Sequence, residues 1–266
     1  MKTRNGPLAL AFHAVFIAFI LAPLLIVCAV AFTPEGFISL PTTGLSLRWF
    51  RAVLDNPRFV ESFFFSLGLG VVAATVAVAL AVPAALAIAK HRFAGRDVLL
   101  AFLLSPLMIP HVVLGLAFLR FYAALGLTGT YIGLVFAHVI IVLPFALRLV
   151  LVSATSIDAS VERAAYSLGA SHGTVFRRVT LPLILPGLVS GWVIAFITSF
   201  DELTMSIFVA SPSTTTLPVR MFLHIEDTID PLVTAVSALL ILITALAIAL
   251  LERTVGLEKI FVGEGR

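Results

Sequence analysis

The sequence predicts an all-α membrane protein with six transmembrane helices, and three observations carry that prediction. Hydrophobic residues fill 61% of the 266 positions, and the mean hydropathy is +1.15. Charged residues are only 12%, against about a quarter in a soluble domain. Apolar runs of spanning length recur six times: 8–32, 63–89, 98–122, 131–152, 183–200 (or on to 209) and 232–251.

The same composition excludes other classes. A net charge of +3 with a pI near 9.4 does not mark a nucleic-acid binder, because the basic residues flank apolar runs instead of clustering on one soluble face. A single cysteine, Cys28, lies inside an apolar run, so no intrachain disulfide forms and the redox compartment is not legible. No low-complexity tract or internal repeat interrupts the pattern.

The first run follows Lys2 and Arg4 and competes with a cleaved signal peptide, since Ala29-Val30-Ala31 resembles a cleavage site. The run exceeds the roughly 7–15 residues of a signal core and is long enough to span, so a retained helix is expected. Bulky Ile26 and Val27 before Cys28 argue against a lipoprotein site. Residues 33–61 leave the membrane. Within them Trp49, Phe50, Val53 and Leu54 are spaced for a helix at the interface, with Arg48 and Arg51 reaching water. Prolines stand inside the spans at Pro23, Pro83, Pro106, Pro110, Pro144 and Pro186, where freed carbonyls need neighbours or cavity water. Pro106 and Pro110 beside His111 fit either a pathway lining or a packing kink.

Six spans place both termini on one side. That side collects twelve basic residues: Lys2, Arg4, Lys90, Arg92, Arg96, Arg148, Arg163, Arg177, Arg178, Arg253, Lys259 and Arg266. Arg48, Arg51, Arg58, Arg120 and Arg220 fall on the other. Twelve against five predicts cytoplasmic termini, and an outer loop after the fifth span in which Glu226, Asp227 and Asp230 outweigh Arg220.

Between the fourth and fifth runs, residues 158–182 are polar yet helical in pattern. Val161, Ala164, Ala165 and Leu168 follow i, i+3, i+4, i+7, which lays a small apolar stripe on one face. Asp158 is placed to cap the start and Gly169 to take the left-handed position at the end. Ser171 can cap a second short helical turn. A flat, alanine-floored face suits docking into a groove on another protein, although the pattern alone describes an ordinary loop helix equally well. Ala164-Ala165, three residues, Gly169, then eleven residues to Leu181-Pro182 resembles the "EAA" loop of permease subunits in binding-protein-dependent ABC importers. That family's glutamate directly precedes the two alanines; here Arg163 holds the place, with Glu162 one position earlier. The resemblance implies an ATPase-coupling segment of Val161, Glu162, Arg163, Ala164, Ala165, Leu168 and Gly169.

Other chemistry is absent from the sequence. There is no phosphate-binding G-x-x-x-x-G-K-[ST] loop, no HExxH or paired cysteines, and no G-x-S-x-G elbow. The histidines are dispersed, and His13 and His138 read as hydrogen-bonded packing residues. The informative membrane charges are Asp201 and Glu202, about 27 Å along a helix that starts near Leu183. Ionisable groups at that depth usually face a protein interior or a water cavity, and the alternative is an interfacial turn in water. With His111, the two acids form the candidate substrate pathway, a negatively lined outer vestibule.

The core from about Phe63 to Leu251 is similar to a type I importer permease, with a MetI-like fold. F-D-E-L-T-M-S-I-F-V followed by a polar loop and Leu217-Pro218 is similar to the spermidine/putrescine branch. This resemblance implies residues 1–61 as a first span plus periplasmic segment, 62–257 as the permease core and 258–266 as a cytoplasmic tail. It also implies a second permease subunit, two cytoplasmic ATPases, a periplasmic substrate-binding protein and the lipid of a bacterial inner membrane. No cofactor is expected on this chain and no enzymatic activity, ATP being bound by the partner subunits. Another small solute is the nearest alternative cargo. A self-powered transporter or channel would need acids deep in several spans, or inverted repeats with broken helices. An intramembrane enzyme lacks its residues altogether.

Overall fold

The computed structural model describes residues 6–255, and among them every regular element is helical. Lys2, Arg4, Lys259, Arg266 and the 258–266 tail lie outside the described residues. Among the described residues five helices are long and apolar enough to cross a membrane, six if one sharply bent pair is a single span. The chain divides into two compact units, one of residues 6–60 with 221–254 and one whose body is 61–220.

In the first unit α1 runs over Pro7–Ala31, and its 25 residues reach about 37 Å, enough for a bilayer core. The expected short helix forms as α2, Arg48–Leu54. Trp49 and Val53 are its buried residues; the Trp49 indole donates to the Glu35 carbonyl at 3.0 Å, and the Arg48 guanidinium lies over its ring. In the same unit Asp230 accepts the Leu232 N–H at 2.9 Å and pairs with His224 at 3.0 Å. Of the three acids in the loop after the fifth run, Asp230 is therefore a structural cap, while Glu226 and Asp227 are exposed.

The second unit is built on α3 (Pro57–Lys90, whose residues from 61 on belong here), α4 (Arg96–Leu104), α5 (His111–Leu125), α6 (Tyr131–Thr155), α7 (Ala159–Ser167), α8 (His172–Val175), α9 (Leu181–Phe200) and α10 (Ser206–Val209). Two more helices follow, α11 (Leu217–Asp227), which leaves this unit after Arg220, and α12 (Leu232–Val255) of the first unit. The core of the second unit is faced by an alanine stripe of α3 (Ala74, Ala77, Ala81, Ala85) and by α6 residues such as Ile141, Val142 and Leu147. α9 lies antiparallel against α6 and meets it through small residues: Gly187, Gly191, Ala195 and Ser199 recur every fourth position and are buried. In lipid, where apolar side chains gain nothing by leaving solvent, such small stripes let backbones approach and dispersion hold them. A Cβ at Gly187 would lie 2.2 Å from Ser153 Oγ and 2.7 Å from the Leu149 carbonyl oxygen. Gly187→Ala is therefore expected to destabilise the unit by about 1–3 kcal/mol, read as a lower unfolding midpoint in detergent. Gly191→Ala, whose nearest contact is 3.3 Å, should cost less.

Contacts at both ends set the direction of these helices. Phe65 of α3 stacks edge-on against Tyr131 at the start of α6, and Lys90 at the end of α3 reaches Glu162 just past the end of α6. α3 and α6 thus run parallel, so the chain between 90 and 131 must return across about the length of α6, roughly 37 Å. That return is the third apolar run, and it departs from the single helix expected over 98–122. It breaks into Arg96–Met108 and His111–Leu125, bent by 102°. The prolines cause the break. Pro106 carries no N–H for the helical ladder, and the segment tightens to a 3₁₀ turn over Ser105–Met108. Pro110 then drives Ile109 out of helical geometry, to φ −98° and ψ 126°. The fifth run takes the shorter of its two expected forms: α9 ends at Phe200, with Asp201 as its C-cap.

Candidate functional site

Two sites stand at opposite ends of α9. At the N-terminal end, α7 forms as the periodicity predicts. The Asp158 carboxylate accepts the Ser160 N–H at 2.8 Å, and that backbone hydrogen bond holds its carboxyl below the ordinary value. At the other end Gly169 takes φ +84°, which lets the Ala170 N–H fold back to the Ala165 carbonyl at 3.1 Å. The Ser171 hydroxyl caps α8, as expected, by accepting the Thr174 N–H.

The predicted stripe is divided by the fold. Val161 (46% exposed), Ala164 and Leu168 (88%) face outward with nothing over them, while Ala165 is half-buried. Arg163 and Gly169 are exposed as well. Glu162 turns the other way, into the protein. Its Oε1 accepts from Lys90 Nζ and from the Thr180 hydroxyl, both at 2.5 Å. Burial pushes the Glu162 carboxyl up, but the hydrogen bonds from Lys90 and Thr180 and the Lys90 charge outweigh it, leaving the carboxyl below its ordinary value. A depressed carboxyl contributes its stabilisation above the ordinary carboxylate range and loses it as pH falls through the lowered value. The cluster is therefore fully formed at neutral pH. Beneath α7 lies a cleft lined by Lys90, Thr155, Glu162, Tyr166, His172 and Phe176 among others. Lys90 and Thr180 went unpredicted. They stand 72 and 18 residues from Glu162, and no local spacing rule links them.

At the C-terminal end of α9 the fold brings two of the three predicted pathway residues together, Glu202 and His111, and leaves Asp201 apart. Glu202 is buried, with 6% exposure; its Oε2 lies 2.7 Å from His111 Nδ1, and its Oε1 accepts the Met205 N–H at 2.7 Å. His111 opens α5 directly after the break, so the pair ties the broken span to the end of α9. Asp201, one residue earlier, is exposed. The adjacent acids thus occupy different environments: one carboxylate is engaged inside, and one is free to meet water or solute. His138 is fully buried, with Nδ1 2.8 Å from Ser199 Oγ and Nε2 3.0 Å from Ser206 Oγ, which agrees with the packing role expected for it. His13 is bonded to the Ala9 carbonyl of its own helix. Among the described residues no cluster of metal-ligating side chains forms.

The family described as "Binding-protein-dependent transport system inner membrane component" matches residues 77–256. The spermidine/putrescine transport system permease protein PotC of Haemophilus influenzae is 29% identical over 245 residues, which covers 92% of this chain and 95% of that protein. The molybdenum transport system permease protein ModB of Mycobacterium bovis is 34% identical over 233 residues, covering 80% and 87%. Among solved structures, a bacterial ABC transporter involved in the import of the acidic polysaccharide alginate aligns with a TM-score of 0.78 at 18% identity, over 96% of this chain and 99% of that one. The last likeness is one of fold.

Proposed function

The chain belongs to the family of inner membrane components of binding-protein-dependent transport systems, and from that premise we propose that it is a polyamine-translocating permease subunit of an ATP-driven importer. The observation that carries the cargo is the similarity to the spermidine/putrescine permease over nearly the whole of both chains. The site agrees chemically. A cationic amine leaving water is stabilised by a carboxylate at the mouth of its path, and Asp201 offers one.

In this reading α7 docks on a cytoplasmic ATPase through Val161, Ala164 and Leu168, and the chain pairs with a second permease subunit. A periplasmic binding protein delivers the solute. ATP is bound and hydrolysed on the partners, so this chain needs no cofactor. The excess of basic residues on the α7 side supports a cytoplasmic α7 and cytoplasmic termini. Closure of the ATPases would carry α7 inward and rock the spans between inward- and outward-open states.

A second reading, an oxyanion cargo, draws on the molybdenum permease relative. The two separate by uptake of labelled spermidine and labelled molybdate into cells that carry the full transporter. Spermidine should accumulate and molybdate should not. Asp201→Asn should then slow spermidine uptake about fivefold at low salt, the order expected for one partly screened charge. Molybdate uptake that is unchanged or faster in Asp201→Asn, with no spermidine uptake in the unmodified protein, would replace the polyamine reading with the anionic one.

A further inference from the structure

We propose that Glu162, clamped between Lys90 and Thr180, is a positioning residue that welds α7 to the inner ends of both α3 and α9, so that a displacement of α7 reaches the two spans together. This rests on the reading of α7 as the ATPase-docking helix.

The need for such a clamp follows from the local chain. α7 joins its neighbours through short connections, Ser156–Asp158 before it and Leu168–Ser171 after it, and the second turns through the left-handed Gly169. Hinges of this kind absorb a push by changing φ and ψ. A side-chain tie across the hinges removes that slack. Glu162 supplies one, because a single carboxylate oxygen receives both the Lys90 ammonium and the Thr180 hydroxyl, and Lys90 and Thr180 are themselves 3.5 Å apart. Lys90 is the last residue of α3, while Thr180 is the last residue before α9.

The backbone is adapted to this contact. Phe176–Thr180 winds as a π-turn, the wider helical turn that recurs at functional positions, and it leads directly into α9. Thr180 is buried, with 1% exposure, so its hydroxyl has a fixed direction. From there α9 runs unbroken for 20 residues, about 30 Å, to Phe200, two residues before Glu202. A shift imposed at Thr180 therefore arrives, through one rigid element, beside the contact that holds the broken third span.

The test uses the complete transporter in proteoliposomes and reads ATP hydrolysed per solute imported. Glu162→Gln and Lys90→Met should keep subunit association and ATP hydrolysis while import falls about tenfold, so that the ratio rises by the same factor. Exchanging the charges, Lys90→Glu with Glu162→Lys, should bring the ratio back to within about twofold of the unmodified protein, which ties the effect to the pair and not to either side chain alone. Thr180→Val removes the hydroxyl and leaves the ion pair, and should give an intermediate ratio. A normal ratio in Glu162→Gln, with import abolished by Ala164→Arg, would overturn the clamp and leave the docking reading intact. Normal import in Ala164→Arg would instead remove the docking reading on which the clamp depends. Loss of assembly in Glu162→Gln that the charge exchange does not repair would make Glu162 a folding residue, and the proposal would fall.

Discussion

Ala164→Arg is expected to reduce uptake at least a hundredfold while the subunit still inserts and folds. Ala164 sits between Val161 and Leu168 on the outward face of α7, and no part of its own unit covers it. A methyl group there allows close approach of a partner surface. Arginine would either hold the partner away or lose its hydration without a counter-ion, and an unpaired buried charge costs several kcal/mol. At about 1.4 kcal/mol per factor of ten, two or more powers of ten follow. Because the side chain points away from the fold, the unfolding midpoint of the isolated subunit should hardly move. Gly169→Val tests the same helix through its backbone: φ +84° with a β-branched side chain is strained, so the closing bond from Ala170 to Ala165 should loosen. The checks are co-purification of the ATPases and solute-stimulated hydrolysis. Unimpaired association and uptake in both variants would exclude α7 as the docking element.

Glu202→Leu should be the most damaging single change at the C-terminal end of α9, with uptake down about thirtyfold and a lower unfolding midpoint. Its carboxylate serves His111 and the Met205 N–H at once; leucine leaves the buried Met205 N–H without a partner and unties the half-buried His111. An orphaned buried donor costs about 1–3 kcal/mol. Glu202→Gln keeps the shape, and its amide oxygen can still accept the Met205 N–H, so uptake should stay within about threefold. His111→Ala should fall between them, since it strands the carboxylate but leaves the Met205 bond. The ordering distinguishes a latch from a solute-binding charge. If Glu202→Gln proved as harmful as Glu202→Leu, the negative charge itself would be the requirement, and Glu202 would rejoin Asp201 as a pathway residue.

Much of this protein was legible in its residues taken in order. Among the described residues five of the six apolar runs became single helices of spanning length, because spanning length and backbone satisfaction in lipid are properties of a single segment. α7 appeared between its expected ends, because Asp158 and Gly169 act on their own backbone within a few residues. The tertiary structure decided what depends on which segments meet. Two prolines in the third run signalled a bend, but the two-piece crossing emerges only once α3 and α6 are seen to run parallel. Asp201 and Glu202, adjacent and chemically alike, are separated in role by the turn after α9, which buries one and exposes the other. The partners of Glu162 lie at the ends of two other helices, and sequence spacing carries no record of them. The physical reason is range: caps, turns and hydrophobic periodicity act over one or two helical turns, whereas ion pairs, buried hydrogen bonds and close helix contacts join residues that only packing brings together.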